Sequence, residues 1–140
     1  MISLPDQNTF EGELVQIYDL NKKQLVELMF FDDEIKFLKL LLSRFFKEKL
    51  ADQQLNKMHM IDGKLSQINM LRINISKDVL THQGNLDAQF KGTGQHNVYF
   101  YQLECDRIKL EMQDLEHQYR KVKNEIFKLS KDILSQRKAT

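Results

Sequence analysis

A seven-residue repeat of apolar side chains runs through the last third of the chain, and it constrains the fold more than any other feature. An apolar residue returns alternately after three and four positions, and only the last position of the pattern is polar. Such a repeat keeps one stripe of a helix facing a partner helix and favours left-handed supercoiling. It predicts a long, packed helix whose buried stripe is Val98, Tyr101, Cys105, Ile108, Met112, Leu115, Tyr119, Val122, Ile126, Leu129, Ile133 and Gln136.

Two earlier segments carry similar stripes that are interrupted by polar residues. The first holds Asn21 and Gln24 in one region, which predicts a turn that is frayed or less buried than the rest. The second is interrupted by Arg72 and His82. The remaining stripe positions are Leu14, Ile17, Leu28, Phe31, Ile35, Leu38, Leu42 and Phe45 in the first segment, and Met58, Ile61, Leu65, Ile68, Ile75, Val79 and Leu86 in the second.

Capping residues predict where the first helix begins and where the second helix begins and ends. Asn8 with Glu11 three residues later fits a capping box, which predicts a helix start near Thr9. The first joint has neither Gly nor Pro, but Asp52 can cap the second helix. The second joint is clearer, because Gly92 can adopt the left-handed conformation that ends a helix.

The predicted architecture is all-α, with one domain spanning residues 1–140. Either Thr93 or Asn97 can open the third helix. Short connections make neighbouring helices antiparallel. We therefore expect an elongated up-down-up three-helix bundle, about 60 Å long at 1.5 Å per residue, with a layout similar to a spectrin repeat. The predicted helices cover about residues 9–49, 52–90 and 97–137.

Composition narrows the functional classes. A formal net charge of +1 disfavours a specific nucleic-acid binder. The single cysteine, Cys105, cannot form an internal disulfide, which favours a cytoplasmic location. The first residues do not resemble a signal peptide, and no apolar run approaches the roughly 18 residues of a membrane span.

The histidines and the cysteine do not form a recognisable catalytic or metal-binding pattern. Paired Glu-x-x-His motifs would be needed for a dinuclear metal site in a bundle, and only Asp114-x-x-His117 approaches this pattern. We expect His117 on a solvated face beside Glu116. His82 lies on the stripe, where Asp78 could accept its proton, and we interpret it as structural. We therefore predict no enzymatic activity and no cofactor.

One segment of the first helix resembles a known group of proteins. The run Glu27-Leu28-Met29-Phe30-Phe31-Asp32-Asp33-Glu34-Ile35-Lys36-Phe37-Leu38 is similar to a segment of small uncharacterised bacterial helical proteins. The similarity covers only about the first helix. That group has no assigned activity, so the resemblance implies an intracellular bacterial helical bundle and no particular function.

Some large apolar residues lie off the predicted stripes. Phe30 and Phe37 are seven residues apart, as are Leu103 and Leu110. They could widen the core or form a second face, which a homodimer or another protein's helix would cover. The favoured function is thus a non-enzymatic interaction or scaffold protein. The alternative is a bundle that binds a metal or a small ligand.

The end of the third helix is rich in basic residues. Part of this charge complements the helix dipole. It could also give the bundle a basic tip that attracts anionic partners weakly and in a salt-dependent manner. The residues of this possible anionic-partner end are Arg120, Lys121, Lys123, Lys128 and Lys131.

Overall fold

A computed structural model of the chain describes the backbone of residues 5–139 and the side chains of residues 10–136. It contains three α-helices: α1 (Pro5–Phe45), α2 (Asp52–Phe90) and α3 (Val98–Ala139). No strand occurs within these described residues. The all-α three-helix prediction is therefore confirmed. None of the described helices is both long and apolar enough to cross a membrane.

The predicted bounds of α1 were wrong at both ends. The helix begins at Pro5, so Asn8 lies inside it rather than at its start. Proline suits a first helical position because the N–H it lacks would have no partner there. At the other end, bonds from the Lys47 N–H to the Arg44 carbonyl and from the Glu48 N–H to the Phe45 carbonyl tighten the last turn. The helix consequently ends before residue 49.

The first joint is closed by Gln54 rather than by Asp52. The backbone N–H of Ala51 donates to Gln54 Oε1 at 3.2 Å. The Ala51 carbonyl in turn accepts from the N–H groups of Gln54 and Leu55 at 3.0 Å. Ala51 is thus the capping position, and Gln54 supplies the returning half of a capping box. Asp52 is the first helical residue, where its negative charge complements the helix dipole.

At the second joint, Gly92 ends α2 as predicted. Gly92 has φ of 81°, a left-handed conformation that glycine adopts without Cβ strain. The Thr93 N–H donates to the Ala88 carbonyl at 2.9 Å and the Gly92 N–H to the Gln89 carbonyl at 3.1 Å, which is a Schellman motif. Of the two candidate caps for α3, Asn97 is used: its Oδ1 accepts from the Phe100 N–H at 3.0 Å.

The chain forms two compact units. Unit 1 comprises residues 5–29 and Ile73–Gln113, and unit 2 comprises Phe30–Arg72 and residues 114–139. Each unit contains one segment of every helix, and in each the α2 segment is antiparallel to the other two.

The predicted stripes form the cores of both units. In unit 1, Leu14, Ile17, Leu86, Tyr101 and Cys105 form a buried cluster, with Tyr18, Val98 and Phe100 packed at its edge. In unit 2, buried stripe residues from all three helices include Ile35, Leu38, Leu65, Ile68, Leu115 and Ile126. The heptad pattern therefore predicted the buried face of every helix. The exceptions among described stripe residues are Gln136, which is exposed, and Phe45, Arg72 and Val98, which are half-buried.

Candidate functional site: an apolar groove and a buried polar layer

Unit 2 carries an open groove of about 570 Å³ between α1 and α3. Phe30 and Phe37, predicted as part of a second face, line it and are 57% and 56% exposed. The third aromatic residue is Phe127, which is 42% exposed. We call this feature the phenylalanine groove; its residues are Phe30, Asp33, Glu34, Phe37, Leu38, Lys123 and Phe127.

Sequence reasoning missed Phe127. Like Phe30, it is a large apolar residue off the stripe, since it directly follows the stripe residue Ile126. That position was a detectable signal. What the sequence did not show is that α3 brings this residue beside Phe37 of α1.

The two walls of the groove carry opposite charges. Asp33 and Glu34 belong to the α1 wall, and Lys123 belongs to the α3 wall. Lys123 Nζ lies 5.7 Å from the ring centre of Tyr119 and 5.8 Å from that of Phe127. Among the described residues, neither Asp33 nor Lys123 forms an ion pair. Each wall therefore presents one charge that has no ion-pair partner among the side chains of residues 10–136.

A partly buried hydrogen bond fixes the alignment of the two walls. The Tyr119 hydroxyl donates to Glu34 Oε2 at 2.5 Å, and the ring of Tyr119 packs edge-on against Phe31. Burial, and then the adjacent Glu34 carboxylate, raise the pKa of Tyr119 far above its usual range. The hydroxyl thus stays protonated and remains a donor, which holds α1 and α3 in one register at this level.

Leu103 and Leu110, the other half of the predicted face, lie in unit 1. They are exposed, as predicted for residues off the stripe. The groove in unit 2 is formed without them.

The five basic residues of the predicted anionic-partner end all lie on α3 in unit 2, but in different surroundings. Arg120 pairs with Glu116 at 2.6 Å on the same helix. Lys123 lines the phenylalanine groove, whereas Lys121 and Lys128 line grooves between α2 and α3. Lys131 is exposed. The residues thus point to more than one side of α3.

A buried polar layer lies in unit 1. Asn21 and His82 are 0% and 1% exposed, and His82 Nδ1 lies 3.3 Å from Asn21 Oδ1. Gln24, one turn further along α1, is also buried. The prediction of a frayed or less buried turn here was wrong, because the polar residues of α1 face a polar residue of α2. Three buried atoms find no hydrogen-bond partner in the described chain: Asn21 Nδ2, Gln24 Oε1 and His82 Nε2.

Asp78 does not serve as the acceptor for His82. Its carboxylate binds Arg107 on α3 at 3.2 Å, and Arg107 also contacts Glu104 at 2.7 Å and Glu111 at 2.6 Å. His82 is therefore left with the neutral amide of Asn21. Burial lowers the pKa of His82; Glu104 and the nearby Tyr101 backbone oppose this effect, while Arg107 adds to it.

The other candidate chemical groups lie as the sequence suggested. Cys105 is buried, and burial raises the pKa of its thiol, which disfavours the reactive thiolate. His117 is exposed beside Glu116. Within the described side chains, no three His, Cys, Asp or Glu residues are arranged so that they could hold a metal ion.

No protein-family model matches the chain, and no curated protein or solved structure shows significant similarity to it. The functional argument consequently depends on the groove and the polar layer themselves.

Proposed function

We propose that the chain is a non-enzymatic interaction protein, and that the phenylalanine groove of unit 2 is its docking surface. A single observation carries this proposal: Phe30, Phe37 and Phe127 converge on one groove while each keeps about half of its side chain exposed. Apolar area left in water costs about 25 cal/mol per Å². A partner that covers the three rings recovers this free energy.

The groove has the composition of a protein-binding surface rather than of a catalytic site. Aromatic residues at the centre of a patch with charged residues at its margin are typical of binding hot spots. The packed helices supply a rigid frame, and the Tyr119–Glu34 hydrogen bond aligns the two walls. A cytoplasmic location and the absence of a cofactor form part of the same proposal.

The test compares the wild-type chain with a Phe30→Ser, Phe37→Ser variant as immobilised baits in a lysate of cells that express the protein. Any retained protein, including the chain itself, is purified and its affinity is measured directly. We expect the groove variant to bind it at least tenfold more weakly, because interface aromatics contribute a large share of binding energy.

The matched control is Val15→Ser, Leu20→Ser, which removes exposed apolar residues from unit 1. It should leave the measured affinity unchanged, and circular dichroism should show both variants to be as helical as the wild type. A purified partner that binds the groove variant and the wild type equally well would contradict the proposal, as would retention of no protein at all.

The second candidate function is binding of a metal or small polar ligand, and the buried polar layer favours it. An imidazole nitrogen and an amide oxygen without partners, His82 Nε2 and Gln24 Oε1, are both acceptors that a ligand could satisfy. Elemental analysis and thermal melts with and without divalent metals test this candidate. Stoichiometric metal, or a midpoint raised by many degrees and lost in a His82→Gln variant, would support it.

A further inference from the structure

We infer that the occupant of the phenylalanine groove is the same groove of a second copy, related by a two-fold axis parallel to the helices. This inference rests on the proposed function, since it identifies the partner for that docking surface. It requires the surface to be complementary to itself, which is the condition for every two-fold interface.

The opposite charges of the two walls supply this complementarity. A two-fold axis along the helices places the α1 wall of one copy against the α3 wall of the other. Asp33 of each copy then faces Lys123 of its partner copy, and both charges gain the ion-pair partner that they lack among the described residues of one chain. Such a pair at the rim of an apolar patch contributes to orientation and specificity.

The alternative two-fold arrangement is disfavoured by the same charges. An axis perpendicular to the helices makes the paired helices antiparallel and sets α1 against α1. Asp33 and Glu34 of one copy would then approach the same acidic wall of the other, and the two Lys123 side chains would approach each other. Like charges in direct opposition disfavour a complex.

The register of unit 2 brings the charges within reach. The Tyr119–Glu34 hydrogen bond sets these two residues at one level, and α1 and α3 run parallel here, because Phe37 meets Lys123 and Phe127 further along. Lys123 is four residues beyond Tyr119, and Asp33 is one residue before Glu34. The axial offset is therefore about 7.5 Å at 1.5 Å per residue, a span that a flexible lysine stem and an aspartate side chain can bridge.

The exposed aromatic area sets the expected strength of the dimer. An aromatic side chain presents about 150–250 Å², so the exposed parts of the three phenylalanines provide roughly 600 Å² when both copies are counted. Stable complexes commonly bury about 1,600 Å². Additional area comes from the groove walls, and the dimer belongs to the weak, reversible class, with a dissociation constant in about the micromolar range.

Sedimentation equilibrium from about 5 to 500 µM tests the inference, because this range brackets a weak dimer. We expect wild type to dimerise reversibly. The Asp33→Lys and Lys123→Asp variants should each dimerise at least tenfold more weakly, because each replaces two attractive contacts by two repulsive ones. An equimolar mixture of the two variants should regain affinity to within about threefold of wild type, because the heterodimer restores both contacts.

Two control variants reverse equivalent exposed charges in unit 1, Asp19→Lys and Lys77→Asp. They should dimerise like the wild type, alone and mixed. A wild-type chain that stays monomeric throughout the range would overturn the inference, while the docking proposal would still stand if a different purified partner binds the groove. In the antiparallel arrangement, Asp33→Lys would associate with wild type more strongly than wild type associates with itself, because one repulsive contact becomes attractive. That result would also overturn the inference, which expects this mixed pair to be weaker than the wild-type dimer.

Discussion

The buried His82 should make the stability of the chain sensitive to acid. In the unfolded chain a histidine has a pKa of about 6.5. In the folded chain, burial against the neutral Asn21 amide lowers the pKa of His82. Between pH 6.5 and the lower folded-state pKa, the unfolded state therefore binds a proton that the folded state does not. Stability present above pH 6.5 is lost as the pH falls through this window.

The magnitude follows from linkage. One proton bound only by the unfolded state reduces the free energy of unfolding by at most about 1.4 kcal/mol per pH unit, or about 2 kcal/mol between pH 6.5 and pH 5. Glu104 raises the pKa of His82 against the effect of burial and so makes the loss of stability smaller, whereas Arg107 lowers this pKa and makes the loss larger. The Tyr101 ring on α3 lies 6.1 Å from that of His82, and burial raises the pKa of the Tyr101 hydroxyl. This hydroxyl gains no charge as the pH falls.

Urea unfolding followed by circular dichroism at pH values from 5 to 7.5 measures this loss, and the absence of Trp makes circular dichroism the suitable probe. The His82→Gln variant keeps an N–H donor for Asn21 but does not titrate, so its stability should change less with pH than that of the wild type. The control His117→Gln removes an exposed imidazole and should keep the wild-type pH dependence. Identical slopes for His82→Gln and the wild type would refute the reasoning, as would a wild-type chain that becomes more stable on acidification.

Three further predictions concern stability. Truncation of any one of the buried residues Ile108, Leu115, Val122 and Leu129 to Ala should reduce the free energy of unfolding by about 2–5 kcal/mol; near-neutral effects at several of them in chemical denaturation would show that the packing is misassigned. Asn97→Ala should cost about 0.5–2 kcal/mol because the Phe100 N–H loses its cap, and a Ser replacement should restore most of this stability in the same assay. Gly92→Ala should cost about 1 kcal/mol through left-handed backbone strain; an unchanged thermal midpoint would argue against the Schellman geometry.

The stripes allowed the sequence to predict which face of each helix is buried, because that property depends on local spacing alone. The partners of the polar stripe residues could not be predicted in this way. His82 meets Asn21 across 61 positions of sequence. Arg72 is half-buried and binds Asp32 at 3.2 Å on a different helix. Both partnerships depend on the register between helices, which short-range periodicity does not specify.

Because short-range periodicity does not specify the register between helices, only some of the groove residues could be predicted from the sequence. Heptad arithmetic correctly selected Phe30 and Phe37 as residues pointing away from the core, and it selected Leu103 and Leu110 by the same rule. It had no means to distinguish residues that converge on a neighbouring helix from residues that stand alone. Only the packing of α3 against α1 shows the difference, because it brings Phe127 into the same groove as Phe30 and Phe37.

Exposure of an apolar side chain is by itself a weak indication of binding, since most proteins expose many of them. Val26, Met29 and Met70 are as exposed as the groove phenylalanines, yet none of them lines the groove. The phenylalanine groove differs in two respects that are independent of each other. Three aromatic rings share one concavity, and the flanking charges are opposite in sign and unpaired in the described chain. Scattered exposed residues have no reason to satisfy both conditions, whereas both are expected of the self-complementary surface that we propose.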